Sequence, residues 1–261
     1  MNILPIVVIY NADYITCAAY RTLLSHHPDA TVVLYDNSPT PINARHASPS
    51  LHYIHNATNG GVSAAYNAGA DYSRRKGSYD YLLLLDQDTE FDSRYIHTLL
   101  HTISTHPTAA LIVPTINTKH GAAFSPTSKT GRKSSLPPGE YPLDNYRIVN
   151  SGACVSLEAF VAAGGYNEQI KLDFADFDFF KRLSTVAESF IVAPSTAVQD
   201  FSNHETGKDK LLSRFAHYID GARRYRQSEH IGGEVLRHTL ALTLRTRSVD
   251  FLTTYIKRYV L

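Results

Sequence analysis

Two aspartates one residue apart close the segment Tyr81-Leu82-Leu83-Leu84-Leu85-Asp86-Gln87-Asp88-Thr89. The apolar run before them reads as a strand covered on both faces. In an extended chain residues i and i+2 point to one side, so both carboxylates can serve a single ligand. Hard anionic oxygens at this spacing suit Mg²⁺ or Mn²⁺, which takes few protein ligands and completes its shell with phosphate oxygens. A cation held there neutralises the charge that grows on a departing diphosphate. The plainer reading of the triplet is an Asx turn that caps the helix starting near Arg94.

Further polar clusters have the composition of a ligand site. Asn59-Gly60-Gly61 permits positive φ and close backbone approach just before a helix, a place suited to polar or anionic groups. No Gly-Lys-Ser/Thr follows, so it is not a P-loop. Asn67 lies two turns further on and suits a structural role as well as a functional one. Asp36, in the turn-forming Asp36-Asn37-Ser38-Pro39, can accept from the imide N–H of uracil or thymine, or merely cap its turn. The segment Leu172 to Arg182 carries Asp173, Asp176 and Asp178 among Phe174, Phe177, Phe179 and Phe180. Such phenylalanines reduce solvation of a carboxylate and raise its pKa. The same aspartates also suit a helix N-terminus, whose dipole they complement.

The elements that must position these groups alternate between strand and helix. Strands are expected at Ile3 to Tyr10, Thr31 to Tyr35, Leu51 to Ile54, Tyr79 to Leu85, Ala109 to Val113 and Asn150 to Ser156. Helices are expected at Tyr14 to His26, Ser63 to Lys76 and Arg94 to Thr105. The order predicts an α/β fold with a mainly parallel sheet flanked by helices. Ligands of such sheets collect beyond the carboxyl ends of the strands. Tyr10-Asn11, Asp36-Asn37, Asn56 to Gly61 and Asp86-Gln87-Asp88 all fall there. Asn117 to Pro142, rich in Ser, Thr, Gly, Pro and Lys, reads as a mobile flap whose Lys129, Arg132 and Lys133 could close on a diphosphate, with Arg147 another phosphate candidate. Helical stretches at Lys208–Ser228 and Gly233–Tyr259 end the chain.

The 261 residues suit one large domain, here divided into a body over 1–207, with halves 1–115 and 146–207, and a helical extension over 208–261. Hydrophobic residues make up 43%, enough for a substantial core. The formal charge of +1 is unevenly spread: residues 208–261 hold 11 Lys/Arg against 5 Asp/Glu, the rest 14 against 19. An acidic body suits a cation site, and a basic extension suits an anionic membrane face or acceptor. The last helix alternates Leu236, Leu240, Leu244, Phe251, Leu252 and Ile256 with Arg237, Arg245, Arg247, Lys257 and Arg258. It could lie on a bilayer, form a dimer contact or cover the domain's own core. Cys17 and Cys154 read as buried free thiols. With no signal peptide or spanning segment in view, the expected location is cytoplasmic, with peripheral contact at the inner face of the cell membrane. Nucleic acid is not an expected partner, and the sequence carries no signal of oligomeric state.

The Asp86-Gln87-Asp88 segment, the run Asn59-Gly60-Gly61-Val62-Ser63-Ala64-Ala65-Tyr66-Asn67-Ala68-Gly69 and the opening strand together resemble inverting family 2 glycosyltransferases of the GT-A fold. Within them Leu85-Asp86-Gln87-Asp88-Thr89 is most similar to the rhamnosyltransferase-like branch that builds O-antigen and other bacterial surface polysaccharides. The resemblance covers about residues 3 to 207. It implies a nucleotide-diphosphate sugar donor (dTDP-rhamnose or a UDP-sugar), a glycan or lipid-linked saccharide acceptor, and Mn²⁺ or Mg²⁺. It places Tyr10, Asn11, Asp36, Asn59, Gly60, Asp86, Gln87 and Asp88 at the donor, with Asp86 and Asp88 also on the cation. Asp176 would be the general base, with Asp178 and Arg182 at the downstream acidic and basic positions and Asp173 beside them. Ser202-Asn203-His204-Glu205-Thr206-Gly207 is similar to the family's His-x-x-Gly segment, which makes His204 a third cation ligand or a diphosphate contact. The departure is Asp178-Phe179, where the branch often has Glu followed by another aromatic.

Competing readings are weaker in specific residues. A sugar nucleotidyltransferase opens with a glycine-rich, Arg-bearing loop, whereas here the first exit is Tyr10-Asn11-Ala12-Asp13. A glycoside hydrolase pairs carboxylates without a diphosphate or metal site. A UDP-hexose or galactofuranosyl transferase of the same fold stays open, as does a catalytically silent sugar-binding subunit, against which the intact Asp86, Asp88, Asp176 and His204 speak.

Overall fold

The computed structural model describes residues 1–130, 135–199, 207–226 and 229–261. In the first part, strands β1 (Ile3–Ile9), β2 (Val32–Asp36), β3 (Leu51–His55) and β4 (Tyr81–Asp86) are joined by helix α1 (Ala18–Thr22) and helix α2 (Gly61–Lys76). These strands pair in parallel in the order β3-β2-β1-β4. Then follow β5 (Thr89–Phe91), α3 (Tyr95–Thr105), β6 (Leu111–Thr118), β7 (Ala123–Ser125), β8 (Thr127–Ser128), β9 (Gly139–Pro142), β10 (Tyr146–Arg147) and β11 (Cys154–Ser156). Helices α4 (Leu157–Ala162) and α5 (Ala175–Leu183), strand β12 (Ser189–Gln199), and helices α6 (Lys208–Tyr225), α7 (Gly232–Thr246) and α8 (Asp250–Tyr255) complete the chain.

Beyond β4 the sheet is mixed. β11 enters antiparallel between β4 and β6, β6 pairs in parallel with β12, and β12 carries β5 and β9 as antiparallel partners. The alternation of each central strand supplies two cores. Ile6, Val8, Leu82 and Leu84 face a layer made by α2 and α4 through α8, whereas Val7, Ile9, Leu83 and Leu85 face α1 and α3. Burial on both faces is why these strands are apolar throughout rather than alternating. Helix α2 buries Val62, Ala65, Tyr66, Gly69, Ala70 and Ser73, the spacing of one helical face, and ends at Gly77 in the left-handed conformation.

Three elements differ from expectation. The helix over Tyr14 to His26 breaks into two 3₁₀ turns around α1, because Cys17 is extended and Ala18 N–H is drawn to Gln87 O at 2.9 Å. Within Asn117 to Pro142, the described residues include strands rather than a free flap: β6 reaches Thr118, β7 folds back on it, β8 pairs with β10, and β9 joins β12. The last predicted helix breaks at Arg247, whose φ of 52° reverses the chain so that Phe251 enters the core. Phe215, Ile219, Ala222, Tyr225, Val235, Leu242 and Tyr259 join the same core as α2 and α5, so residues 208–261 cover the domain's own body.

Candidate active site

The turn after β4 is braced from three sides. Asp86 N–H donates to Ser151 Oγ at 3.3 Å, and Ser151 Oγ–H donates to Thr89 Oγ1 at 2.7 Å. Gln87 O accepts from Ala18 N–H. The Gln87 side chain closes a pair with the backbone of Tyr10, accepting from its N–H at 2.8 Å and donating to its C=O at 3.3 Å. Gln87 therefore ties the exits of β1 and β4 together, and the Tyr10 ring stands half-exposed at the lip.

Asp86 is partly buried, and its Oδ1 accepts a 2.9 Å bond from Tyr66 Oη of α2. Burial, reinforced by the charge of Asp88, pushes its carboxyl up to about 7 against the opposing effect of that bond. Asp88 Oδ1 accepts from Gln199 Nε2 at 3.4 Å, while Gln199 Oε1 is buried without a hydrogen-bond partner.

Asp176 lies in the first turn of α5, behind Phe174, whose φ is 71°. Its Oδ1 accepts from Phe177 N–H at 2.8 Å. Burial pushes this carboxyl up to about 7, with the charges of Asp86 and Asp173 adding to the rise. Tyr66, bonded to Asp86, and Tyr166, stacked on Phe179 of α5 at 4.3 Å, are fully or almost fully buried, with ring centroids 5.3 Å apart. Tyr166 Oη donates to Asn150 Oδ1 at 2.5 Å. Both phenols feel the charges of Asp86 and Asp176, so these four side chains form one electrostatic unit.

The other expected site residues fall into distinct places. Asp36, expected at the base or as a turn cap, is fully buried and accepts from Ser38 N–H at 2.9 Å, Asn43 Nδ2 at 2.9 Å and Tyr53 Oη at 3.0 Å. Burial opposes its ionisation, but the hydrogen bonds from Ser38, Asn43 and Tyr53 outweigh that and hold the carboxyl below its usual range. Asn11, at φ 50°, donates its N–H to Ser38 Oγ at 2.8 Å and so shapes the same corner. Asn59, at φ 53°, turns the chain into α2, accepting from Gly61 N–H at 3.2 Å.

The close approach that Gly60-Gly61 allows is made by the protein itself. Lys171 O accepts from Val62 N–H at 2.8 Å, and a Cβ on Gly61, whose φ is 77°, would lie 2.0 Å from that oxygen. The start of α2 thus anchors the segment that leads to Asp176. Asn67 is structural, exchanging two hydrogen bonds with the backbone of Tyr166 at 2.8 and 2.9 Å.

Buried Asp178 and half-buried Arg182 form an ion pair within α5. Arg182 Nε and Nη2 donate to Asp178 Oδ2 at 3.0 and 2.9 Å, and Nη1 reaches the carbonyls of Ala163 and Gly165. Through these carbonyls the pair clamps the Gly164-Gly165 turn. Asp173 makes no cap to α5; it bonds Arg214 of α6 at 3.0 Å. Lys129 and Arg147 are likewise not offered to a phosphate. Lys129 Nζ lies 2.8 Å from Glu229, and Arg147 forms ion pairs with Glu229 and Glu234. His204, Arg132 and Lys133 lie outside the described residues.

Among the described residues no group of three or more His, Cys, Asp or Glu gathers as a metal cluster. The two hard carboxylates of Asp86 and Asp88 nonetheless fit a divalent cation: the charge of Asp88 helps raise the Asp86 carboxyl, a repulsion that a cation relieves.

A family model for glycosyl transferase family 2 matches residues 6–156. The chain belongs to that family. The glycosyl transferase family 2 match thus runs from within β1 to the end of β11 and includes the Asp86-Gln87-Asp88 turn. The chain is 25% identical over 187 residues to the dTDP-rhamnosyl transferase RfbF of Shigella flexneri, covering 69% of this chain and 62% of that protein. It is 24% identical over 236 residues to the N-acetylglucosaminyl-diphospho-decaprenol L-rhamnosyltransferase of Mycobacterium tuberculosis, covering 77% and 75%. This family 2 chain also superposes on S. aureus TarS 1-349 with a TM-score of 0.58 at 14% identity, over 99% of this chain and 81% of that one. With GalNAc-T7, solved with UDP, GalNAc and Mn2+, the TM-score is 0.55 at 16% identity, over 87% and 48%. The fold is accordingly α/β and GT-A-like.

Sequence reasoning missed Tyr66, Tyr166, Asn150 and Gln199. An aromatic on the apolar face of a helix reads as core, and only the tertiary structure shows where its hydroxyl points. No helix among the described residues is long and apolar enough to cross a membrane.

Proposed function

We propose that the protein is an inverting, cation-dependent glycosyltransferase that moves rhamnose from dTDP-rhamnose to a glycan or lipid-linked saccharide. The observation that carries this reading is the Asp86 and Asp88 pair at the β4 exit, held by Tyr66 of α2 at 2.9 Å, in a chain that matches glycosyl transferase family 2. Asp176 sits apart from that pair at the start of α5, which separates a donor side from an acceptor side. The names of the Shigella and Mycobacterium relatives support rhamnose as the sugar. The transferase unit is residues 1–207, with 208–261 buttressing α5.

Asp86 and Asp88 would hold Mn²⁺ or Mg²⁺, which supplies charge neutralisation at the leaving diphosphate. Tyr66 orients Asp86, and Gln199 holds Asp88. Tyr10 stands at the lip of the donor cleft, on the corner shaped by Asn11 and Asp36. Asp176 takes the proton from the acceptor hydroxyl as that oxygen bonds to the anomeric carbon, and the carbon–phosphate oxygen bond breaks with its electron pair leaving on the nucleoside diphosphate. A carboxylate with pKa near 7 is well matched to this proton transfer.

The test is nucleoside-diphosphate release from a panel of dTDP-rhamnose, UDP-hexoses and UDP-galactofuranose, with and without Mn²⁺. Release from dTDP-rhamnose that depends on Mn²⁺ and disappears in Asp88→Ala is the expected result. Undiminished release by Asp88→Ala would overturn the reading, and preference for a UDP-sugar would change the donor.

A further inference from the structure

Helix α7 exposes apolar residues on the side it does not need for folding. Val235, Thr239 and Leu242 face the core, while Leu236, Leu240 and Leu244 are 40%, 44% and 78% exposed. Spaced by four, the three leucines form one stripe along the outer face. Val249, 68% exposed, continues it past the end of the helix. Exposed Arg237 and Arg245 accompany the stripe, and exposed Arg247 stands at the helix end.

Charge identifies what this face would meet. The acidic groups nearby are engaged, Glu234 with Arg147 and Asp250 with Lys208. Among the described residues Arg237, Arg245 and Arg247 form no ion pair. A second copy docking about a two-fold axis would set these arginines against their own images. A bilayer with anionic headgroups satisfies both features, taking the leucines into the acyl boundary and the arginines to the phosphates. Since no described helix can span, α7 would lie in the interface plane.

We infer that the Leu236–Leu240–Leu244 face of α7 is a docking surface for an anionic lipid bilayer. The inference stands apart from the donor chemistry, and its test reads binding rather than turnover. The purified full chain is sedimented with vesicles of phosphatidylcholine alone or mixed with phosphatidylglycerol. Partition into the anionic vesicles is expected. It should fall about fivefold for each arginine removed in Arg237→Gln and Arg245→Gln. Leu240→Glu/Leu244→Glu should lower it by at least about tenfold, because it charges the inserted stripe. Donor hydrolysis and melting temperature should be unchanged, since neither leucine is buried, and the arginine variants serve should the leucine variant fail to fold. The inference is overturned if the wild-type chain stays in the supernatant, if both vesicle types bind equally, or if the variants bind like the wild type. A concentration-dependent dimer that the leucine variant abolishes, without vesicle binding, would assign the face to a second copy instead.

Discussion

Tyr66 Oη donates a 2.9 Å hydrogen bond to Asp86 Oδ1 from the interior of α2. The bond favours the ionised carboxylate at a position where burial and Asp88 both oppose ionisation. It sets the lone pairs of Asp86 in one orientation and links α2, which also anchors the Lys171 segment, to the acidic turn.

Tyr66→Phe removes this bond while keeping the ring in its packing against Tyr166. Hydrogen bonds to charged groups are worth about 1.5–3 kcal/mol, so apparent Mn²⁺ affinity in donor hydrolysis should fall roughly tenfold or more. The pH at which Mn²⁺ activates should rise, since Asp86 loses the group that favours its anion. A Mn²⁺ titration at several pH values checks both, and equal affinity in the two proteins would remove Tyr66 from this role.

For Asp176 the direction of pH dependence follows from its raised pKa. As the proposed base, Asp176 must be ionised to accept a proton, so kcat/KM should climb with pH through about 7 and level above it. Asp176→Asn should lower kcat by ~10²–10⁴ and remove that limb. A folded-state pKa above the unfolded value means the folded protein holds the extra proton between about pH 4 and 7, so this carboxyl costs stability as pH rises across that window. Thermal melts should therefore show Asp176→Asn gaining on the wild type over the same window, with the gain constant above it.

Gly61→Ala tests the close approach of the Lys171 backbone. The added Cβ meets a carbonyl oxygen at 2.0 Å, and φ of 77° disfavours any L side chain. A loss of about 2 kcal/mol or more in urea denaturation is expected, together with lower kcat, because the displaced segment leads to Asp176. Gly77→Ala is the control: it shares positive φ, but nothing lies near its Cβ. It should cost about 1 kcal/mol and leave turnover intact.

Arg182→Met leaves Asp178, only 6% exposed, without its cation and frees the carbonyls of Ala163 and Gly165. Leaving a buried acceptor without its donor costs about 1–3 kcal/mol. The double change Asp178→Leu/Arg182→Met should recover part of that loss, which a double-mutant cycle in urea would measure.

Composition and local pattern determined a good deal. The four parallel strands, α2, and the delivery of Asp86 and Asp88 to a strand exit follow from apolar runs and short spacings, which are local properties of the chain. The family resemblance rests on the same local words. Asp36 shows where local reading stops: its turn suggests a base contact or a cap, whereas its partners Asn43 and Tyr53, 7 and 17 residues away, are set by the tertiary fold. Gly60-Gly61 shows it again, for the backbone that approaches is Lys171, more than a hundred residues along. The amphipathic pattern of residues 208–261 told that one face would be buried but not against what. Pairing of a hydroxyl with a carboxylate, burial of a charge and closure of one segment on another are sums over contacts distant in sequence. The types of the candidate groups were therefore written in the chain, whereas their burial, orientation and hydrogen bonding were decided only by the folded packing around Tyr66 and Tyr166.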